Sequence, residues 1–341
     1  MVNVAILGAS GAVGQELLSI LEQRQFPIGE LRLLASERSA GRKFAFRGRL
    51  LEVQAVTPES FDNIQIGLFS AGGSISAKWA PIAAAKGCIV IDNTSHFRMK
   101  DDVDLIVPEV NGDLLKVKPR SGIIANPNCS TIQMVQVLAP LHKLWNIKRV
   151  VVATYQSVSG KGKNAMDELK AQMKAMANGD DPVTKVFPHQ IGFNLLPHIG
   201  SFMENGYTDE EMKMVNETRK IMRAPGVRVS ATCVRVPVYR SHSESVNIEF
   251  EKPVDVAKAR EVLSKTENVI LVDDVAGNHY PMPIYADGKD ETHVGRIRKD
   301  ISNPDGTGLD LWVVSDNLRT GAALNAIRIA EILVKNGVVK N

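Results

Sequence analysis

One cysteine stands where a thiol can be made reactive. Cys129 lies in the polar turn Asn126-Pro127-Asn128-Cys129-Ser130-Thr131, between the apolar run Gly122-Ile123-Ile124-Ala125 and a long helical pattern starting near Ser130. A helix beginning there aims its free backbone N–H groups and the positive end of its dipole at the sulfur, which favours thiolate. The same N–H groups suit an oxyanion formed when sulfur attacks a carbonyl. A small apolar residue packed at a helix start is the alternative, and position alone does not separate the two. Cys88 and Cys233 sit inside apolar runs and read as core residues. With no Cys-x-x-Cys pair and no Cys/His spacing suited to a metal, the three cysteines predict reduced thiols in a cytoplasm and no metal site.

A nucleophilic thiol needs a proton partner, and the chain has seven histidines. His242 is set apart by its place at a turn between two strands, seven residues after Arg235 in Arg235-Val236-Pro237-Val238. A structural hydrogen-bonding role and a catalytic one both fit that position. A second kind of chemistry is written at the start of the chain. The apolar strand 2–7 runs into Gly8-Ala9-Ser10-Gly11-Ala12-Val13-Gly14 and then a helical stretch. Strand, glycine turn and helix are what a dinucleotide pyrophosphate requires: a tight turn, close backbone approach and a helix N-terminus. The next strand ends in Ser36-Glu37-Arg38-Ser39, where Arg38 and the two hydroxyls suit a ribose 2′-phosphate and so favour NADP. Glu37 is the carboxylate that an NAD site would use, and a solvated loop running on through Gly41-Arg42-Lys43 is the bland reading. Ser70 and Gly72 follow the strand 64–69, at the strand end where a cofactor lies against backbone. Arg98, in the loop after the next strand, is a candidate anion clamp.

The elements that must position these groups fall into two sets. At 341 residues the chain exceeds one ordinary core, so two domains are expected. Alternating strands and helices through residue 128 predict a doubly wound parallel sheet, an α/β domain of Rossmann-like kind. From Cys129 the apolar face Ile132, Val135, Leu138, Leu141, Leu144 marks a helix, which Pro140 is expected to kink or end. Beyond it, a strand at 149–154, helices at 163–177 and 209–222, and strands at 228–238, 245–250 and 309–315 suggest an antiparallel sheet with helices, a domain of α+β type. The segment 322–335 reads as a last helix that packs back on the first domain. The expected division is therefore 1–128, completed by 317–341, and 129–316. A net charge of +3 gives no reason to expect nucleic acid or an anionic membrane as partner. No apolar run reaches membrane-span length and no signal peptide is evident, in keeping with a cytoplasmic protein.

Taken together, Gly8–Gly14, Asn126–Thr131, Thr154-Tyr155-Gln156 through Gly160, Arg235–Val238 followed by His242-Ser243-Glu244, and Asp316–Gly321 resemble aspartate-β-semialdehyde dehydrogenase. Gly295-Arg296-Ile297-Arg298 and Tyr280-Pro281-Met282-Pro283 also match, so the resemblance covers essentially the whole chain in order. Ser241 stands where many members carry glycine. The resemblance implies an NADP-binding domain, a catalytic and dimerisation domain, and a homodimer. It implies reductive dephosphorylation of L-4-aspartyl phosphate to aspartate 4-semialdehyde, feeding diaminopimelate, lysine, threonine and methionine synthesis. By the same resemblance Cys129 forms a thioester, His242 is general acid/base, and Gln156 orients the substrate. Arg235 takes the substrate carboxylate with its planar fork. Glu210 takes the ammonium, with Glu211 the competing choice, and Arg98, Asn128 and Lys213 take the phosphate. Ser10–Val13 (Ser10, Gly11, Ala12 and Val13), Arg38-Ser39, Ser159-Gly160 and Asn317 contact NADP, with Asn317 near the nicotinamide. N-acetyl-γ-glutamyl-phosphate reductase is the nearest alternative enzyme, but it needs no carboxylate for a free ammonium. A non-catalytic protein on this scaffold is the other alternative, and it would be expected to have lost Cys129 or its partners.

Overall fold

The computed structural model describes residues 1–339. It separates into two compact units, Met1–Asn128 with Ala322–Asn341, and Cys129–Gly321. Residues 340 and 341, the end of the expected C-terminal segment, lie outside the described residues.

The first unit is built on β1 (Val2–Leu7), α1 (Ala12–Gln23), β2 (Ile28–Ala35), β3 (Lys43–Phe46), β4 (Arg49–Ala55), β5 (Ile66–Phe69), α2 (Gly73–Ala85), β6 (Ile89–Asp92), β7 (Asp104–Leu105), α3 (Pro108–Asn111) and β8 (Ile123–Ala125). The strands order as β3-β4-β2-β1-β5-β6-β8-β7. Every pairing is parallel except β3 with β4. Strands such as β1, β5 and β6 are mostly apolar and buried because both sheet faces are covered. Ile6, Leu17, Ile20, Leu33, Leu68, Ile91 and Ile327 belong to one core. The edge hairpin β3–β4 has no counterpart in the sequence reading. Its strands meet at Arg47-Gly48, both in the left-handed region (φ 47° and 74°), as a two-residue hairpin requires. The C-terminal helix, Leu324–Lys335, belongs to this unit and is tied there by ion pairs Arg24–Glu331 (2.7 Å) and Arg328–Glu109 (3.0 Å).

The second unit comprises α4 (Cys129–Trp145), β9 (Ile147–Gln156), α5 (Lys163–Ala177), α6 (Asp209–Ile221), β10 (Arg228–Arg235), β11 (His242–Phe250), α7 (Val256–Ser264), β12 (Val269–Leu271), α8 (Pro283–Ala286), β13 (Thr292–Lys299) and β14 (Gly308–Ser315). Its sheet runs β10-β9-β11-β14-β13-β12. The sheet is mixed rather than antiparallel: β9 pairs β10 in parallel, as β12 does β13. The connection from β9 to β10 carries two helices, long enough to return the chain in the same direction. α4 continues through Pro140 to Trp145 instead of ending there. Its residues Ile132–Leu141 are buried except for half-buried Pro140, and Met134, Val137, Leu138 and Leu141 pack with Val150, Val152, Val246 and Leu311. That packing offsets the one helix hydrogen bond that proline removes. Residues 317–321, expected with the first domain, cluster with the second, where Asn317 bonds Ser157 and Ser159 and Arg319 bonds Asp290.

Candidate active site

Strand register assembles the second unit's site. β9 and β10 pair Gln156 with Arg235 and Thr154 with Cys233. β9 and β11 pair Tyr155 with Ser243, which brings His242 level with Gln156. β11 and β14 pair His242 with Ser315. Arg235, Gln156, His242 and Ser315 thus form one cross-strand row on one face of the sheet, with Cys233, Thr154, Glu244 and Val313 in a row two residues away. All four residues of the first row are buried.

Each side chain in that row is oriented by a bond. Thr154 Oγ1 donates to Gln156 Oε1 (3.0 Å), and Gln156 Nε2 donates to Glu210 Oε1 (3.1 Å). The other oxygen of Glu210 receives Lys213 Nζ at 3.1 Å, and Lys213 also reaches Asp209 at 2.7 Å. Glu210 therefore faces Gln156. Glu211, one residue on, is committed elsewhere: its carboxylate accepts from Thr208 N (2.7 Å) in a capping box and from Cys233 N (3.0 Å). Burial lowers the Arg235 pKa, while the charges of Glu210 and Cys129 hold it up, and Nη1 donates to Ser157 O at 2.6 Å.

Cys129 is half-buried at the first position of α4. Gly321 packs against it so closely that an added Cβ would stand 2.8 Å from Cys129 Cβ. Gly160 lies over the row in the same manner, 3.0 Å from Arg235 Nη1 and 3.3 Å from His242 Nε2 for an added Cβ. Burial first, and the Arg235 charge second, push the His242 imidazole down to about 3, so the ring is neutral at physiological pH. Its Nδ1 accepts the Ser157 backbone N–H at 3.1 Å. Ser241, at the glycine position of the motif, adopts φ 75°, a left-handed conformation that glycine takes without penalty. Glu244 is fully buried, and neither carboxylate oxygen has a hydrogen-bond partner among the described residues. Burial pushes its carboxyl well above the usual range, opposed only by the nearby Gln133 amide.

The sequence singled out Cys129, Gln156, Glu210, Lys213, Arg235 and His242, and the fold places all of them in the second unit. Ser159, Gly160 and Asn317 lie in it too. Asn317 Oδ1 accepts from Ser157 Oγ (3.1 Å), Ser159 Oγ (2.9 Å) and Ser241 N (3.0 Å), so this oxygen is used inside the protein. Ser157 and Gly321 were not singled out; their position inside two motif segments was the available signal. Arg98 and Asn128 belong to the first unit and are buried. Arg98 Nε donates to Asn126 O (2.9 Å) and Nη2 to Asn93 O (2.8 Å), bracing the turn that precedes Cys129.

The dinucleotide turn of the first unit has the shape a pyrophosphate needs. Gly8 has φ 94°, and a Cβ there would stand 2.5 Å from Ser70 O; a Cβ on Gly14 would stand 2.3 Å from Gly8 O. The N-terminus of α1 at Gly11 has no side-chain cap, which leaves its N–H groups for an anion. Ser10, Ala12, Val13 and Ser70 are half-buried around it, and Gly11 and Gly72 are exposed. Ser36 and Arg38 are exposed at the end of β2, with Ser39 half-buried. Among the described residues, no cluster of side chains could hold a metal ion and no helix is long and apolar enough to cross a membrane.

A dinucleotide turn in one unit and a cysteine beside a His–Gln–Arg row in the other are the features of a nicotinamide-dependent dehydrogenase. Family models agree: the semialdehyde dehydrogenase NAD binding domain matches residues 3–118, and the semialdehyde dehydrogenase dimerisation domain matches 138–320. The aspartate-semialdehyde dehydrogenase of Aquifex aeolicus is 55% identical over 340 residues, covering 99% of both chains. A crystal structure of aspartate semialdehyde dehydrogenase II from Vibrio cholerae, complexed with ASA, is 50% identical and superposes with a TM-score of 0.95 over 98% of each chain. The Candida albicans aspartate semialdehyde dehydrogenase with NADP is 25% identical, with a TM-score of 0.78 over 99% of this chain and 100% of that one. The chain belongs to the aspartate-semialdehyde dehydrogenase family.

Proposed function

We propose that the protein catalyses NADPH-dependent conversion of L-4-aspartyl phosphate to L-aspartate 4-semialdehyde and phosphate, in lysine, threonine and methionine biosynthesis. The observation that carries the reading is the row Arg235–Gln156–His242, with Glu210 bonded to Gln156 and Cys129 close enough to Arg235 to act on its charge. A substrate with both an α-carboxylate and an α-ammonium needs a cation and an anion fixed near one nucleophile. Arg235 takes the carboxylate through its fork. Glu210 takes the ammonium; Glu211, spent on its helix cap and Cys233, does not. Lys213 meets the phosphate, and the reading extends to Arg98 and Asn128 as phosphate ligands.

Cys129 attacks the acyl carbon as thiolate, favoured by the start of α4, and phosphate leaves with the electron pair of the broken C–O bond. Gln156 holds the resulting thioester by neutral hydrogen bonds. The Gly8–Gly14 turn with Ser36, Arg38, Ser39, Ser70 and Gly72, aided by Ser159, Gly160 and Asn317, would hold NADPH, which would supply the hydride. The N–H groups of α4 and the His242 ring stabilise the oxyanion of the reduced adduct, whose collapse returns the Cys129 thiolate. A homodimer formed through the dimerisation domain, acting in the cytoplasm, completes the reading.

The reverse reaction tests it: aspartate semialdehyde, phosphate and NADP, with NADPH absorbance followed. Phosphate-dependent NADPH formation that vanishes in Cys129→Ser is expected. Turnover of N-acetylglutamate semialdehyde in place of aspartate semialdehyde would overturn the substrate assignment.

A further inference from the structure

In the first unit β5, β6, β8 and β7 are neighbours in the sheet, and a chain of asparagine side chains crosses their C-terminal ends. Asn93 follows β6, Asn126 follows β8, and Asn325 lies on the C-terminal helix Leu324–Lys335. Asn325 Nδ2 donates to Ile106 O, just past β7, at 2.9 Å and to Asn126 Oδ1 at 2.6 Å. Asn126 Nδ2 donates to Asn93 Oδ1 at 2.8 Å, and Asn93 Nδ2 donates to Phe69 O, at the end of β5, at 3.3 Å. A backbone carbonyl only accepts, so an amide nitrogen must face Ile106 O at one end and Phe69 O at the other. Working inward from either end gives the same orientation for all the amides. The bonds therefore run in one direction and polarise one another. Asn325 is fully buried and its Oδ1 has no partner among the described residues, so its polar role is those two donations.

What this chain carries is an arginine. Arg98 is buried, and it donates from Nε to Asn126 O at 2.9 Å and from Nη2 to Asn93 O at 2.8 Å. Its guanidinium rests on the main-chain carbonyls of two residues whose side chains are pinned to each other. Asn126 N donates to Asp92 O at 2.8 Å, so the backbone and side-chain polar groups of Asn126 are all engaged. The C-terminal edge of such a sheet is where α/β folds bind ligands. A planar fork fixed there takes hold of an oxyanion without first losing its own rotational freedom.

We propose that Asn93, Asn126 and Asn325 are positioning residues for Arg98, and that Asn325, from the C-terminal helix, sets the affinity for phosphate through it. The proposal rests on the reading of Arg98 as a phosphate ligand and extends that reading to residues the chemistry itself does not use.

The reverse reaction tests it on the full-length enzyme, with KM measured separately for inorganic phosphate, the semialdehyde and NADP. Asn325→Leu keeps the side-chain volume and removes both donations. It is expected to raise KM for phosphate about tenfold and the other two by less than about twofold. Asn336→Ala is the control: it removes a bond from the same helix to Leu115 O (3.1 Å) outside the chain, and should lower Tm with every KM unchanged. An equal rise of all KM values in Asn325→Leu would mark general loosening and overturn the proposal. Arg98→Leu separates the proposal from the reading beneath it. Phosphate KM unmoved by Arg98→Leu would overturn both; phosphate KM raised by Arg98→Leu but not by folded Asn325→Leu would overturn the proposal alone. In the double variant the two effects should not multiply, because Asn325 acts through Arg98, and full additivity would refute that. Should Asn325→Leu not fold, Asn93→Ala opens the chain at its half-buried end and is judged by the same outcomes.

Discussion

Glu210 and Glu211 show how far the use of a residue can diverge between neighbours. Both are buried on α6, yet one faces Gln156 and the other closes its own helix. Removing a buried, hydrogen-bonded charge costs ~3 kcal/mol or more. Glu210→Gln should therefore lower kcat/KM about 10²-fold, mostly through KM for the semialdehyde, while Glu211→Gln should lower Tm and leave KM within a few-fold. Steady-state kinetics and thermal melts on the same two variants check this; equal KM effects would remove the distinction. Ser241 carries a different kind of constraint. A left-handed residue other than glycine is strained by about 1–2 kcal/mol. Ser241→Gly should raise Tm by a few degrees with the Asn317 bond intact, since that bond uses only the backbone N–H.

At the scale of elements, the site is a consequence of register. A row across four strands sets Gln156 one strand spacing from Arg235 on one side and from His242 on the other, and α4 delivers Cys129. Strands are stiff platforms for such a site because a slip of one residue would turn every side chain to the opposite face. The junction at Gly321 is the fragile point. Its absent Cβ is what lets the chain pass Cys129, and a methyl group there stands too close to be accommodated without moving the cysteine. Displacing a nucleophile by about 1 Å costs on the order of 10² in rate. Gly321→Ala is expected to lose about that much kcat while remaining folded; alkylation of Cys129 by iodoacetamide, followed by mass spectrometry, separates a displaced thiol from an unfolded one. Full kcat in Gly321→Ala would show that the contact is slack.

For the whole molecule, two buried groups set opposing pH dependences. His242 has a depressed folded pKa, so its contribution to stability is present above the unfolded value near 6.5 and is lost as pH falls toward about 3. Glu244 has a raised one, so its contribution is complete below the unfolded value of about 4.5 and is lost as pH rises above it. The fold thus disfavours the ionised form of a carboxyl set beside Gln133, Thr154 and Cys233. Glu244→Gln should melt higher than the parent at pH 7.5, by several degrees, with the gap closing at pH 4. A gap that is absent at pH 7.5, or as large at pH 4, would show that the fold does not disfavour the ionised form of Glu244.

What the sequence determined by itself is local. The strand–glycine–helix start and the cysteine at the head of a helix are readable because a turn and a helix terminus are made by residues adjacent in the chain. The helix 209–222 was legible for the same reason, from periodicity alone, though not which of its glutamates faces the site. The β3–β4 hairpin was missed because its alternation is short and its turn, Arg47-Gly48, lacks the usual asparagine or aspartate. Tertiary structure alone decided the rest. Ser157 meets His242 across 85 residues and Asn317 across 160, so the surroundings of the histidine depend on pairings that no local pattern encodes. The parallel pairing of β9 with β10 and the burial of Glu244 are fixed in the same way, by strand pairing over long sequence distances, and the choice between Glu210 and Glu211 by how α6 meets that sheet, where Gln156 and Cys233 are their partners.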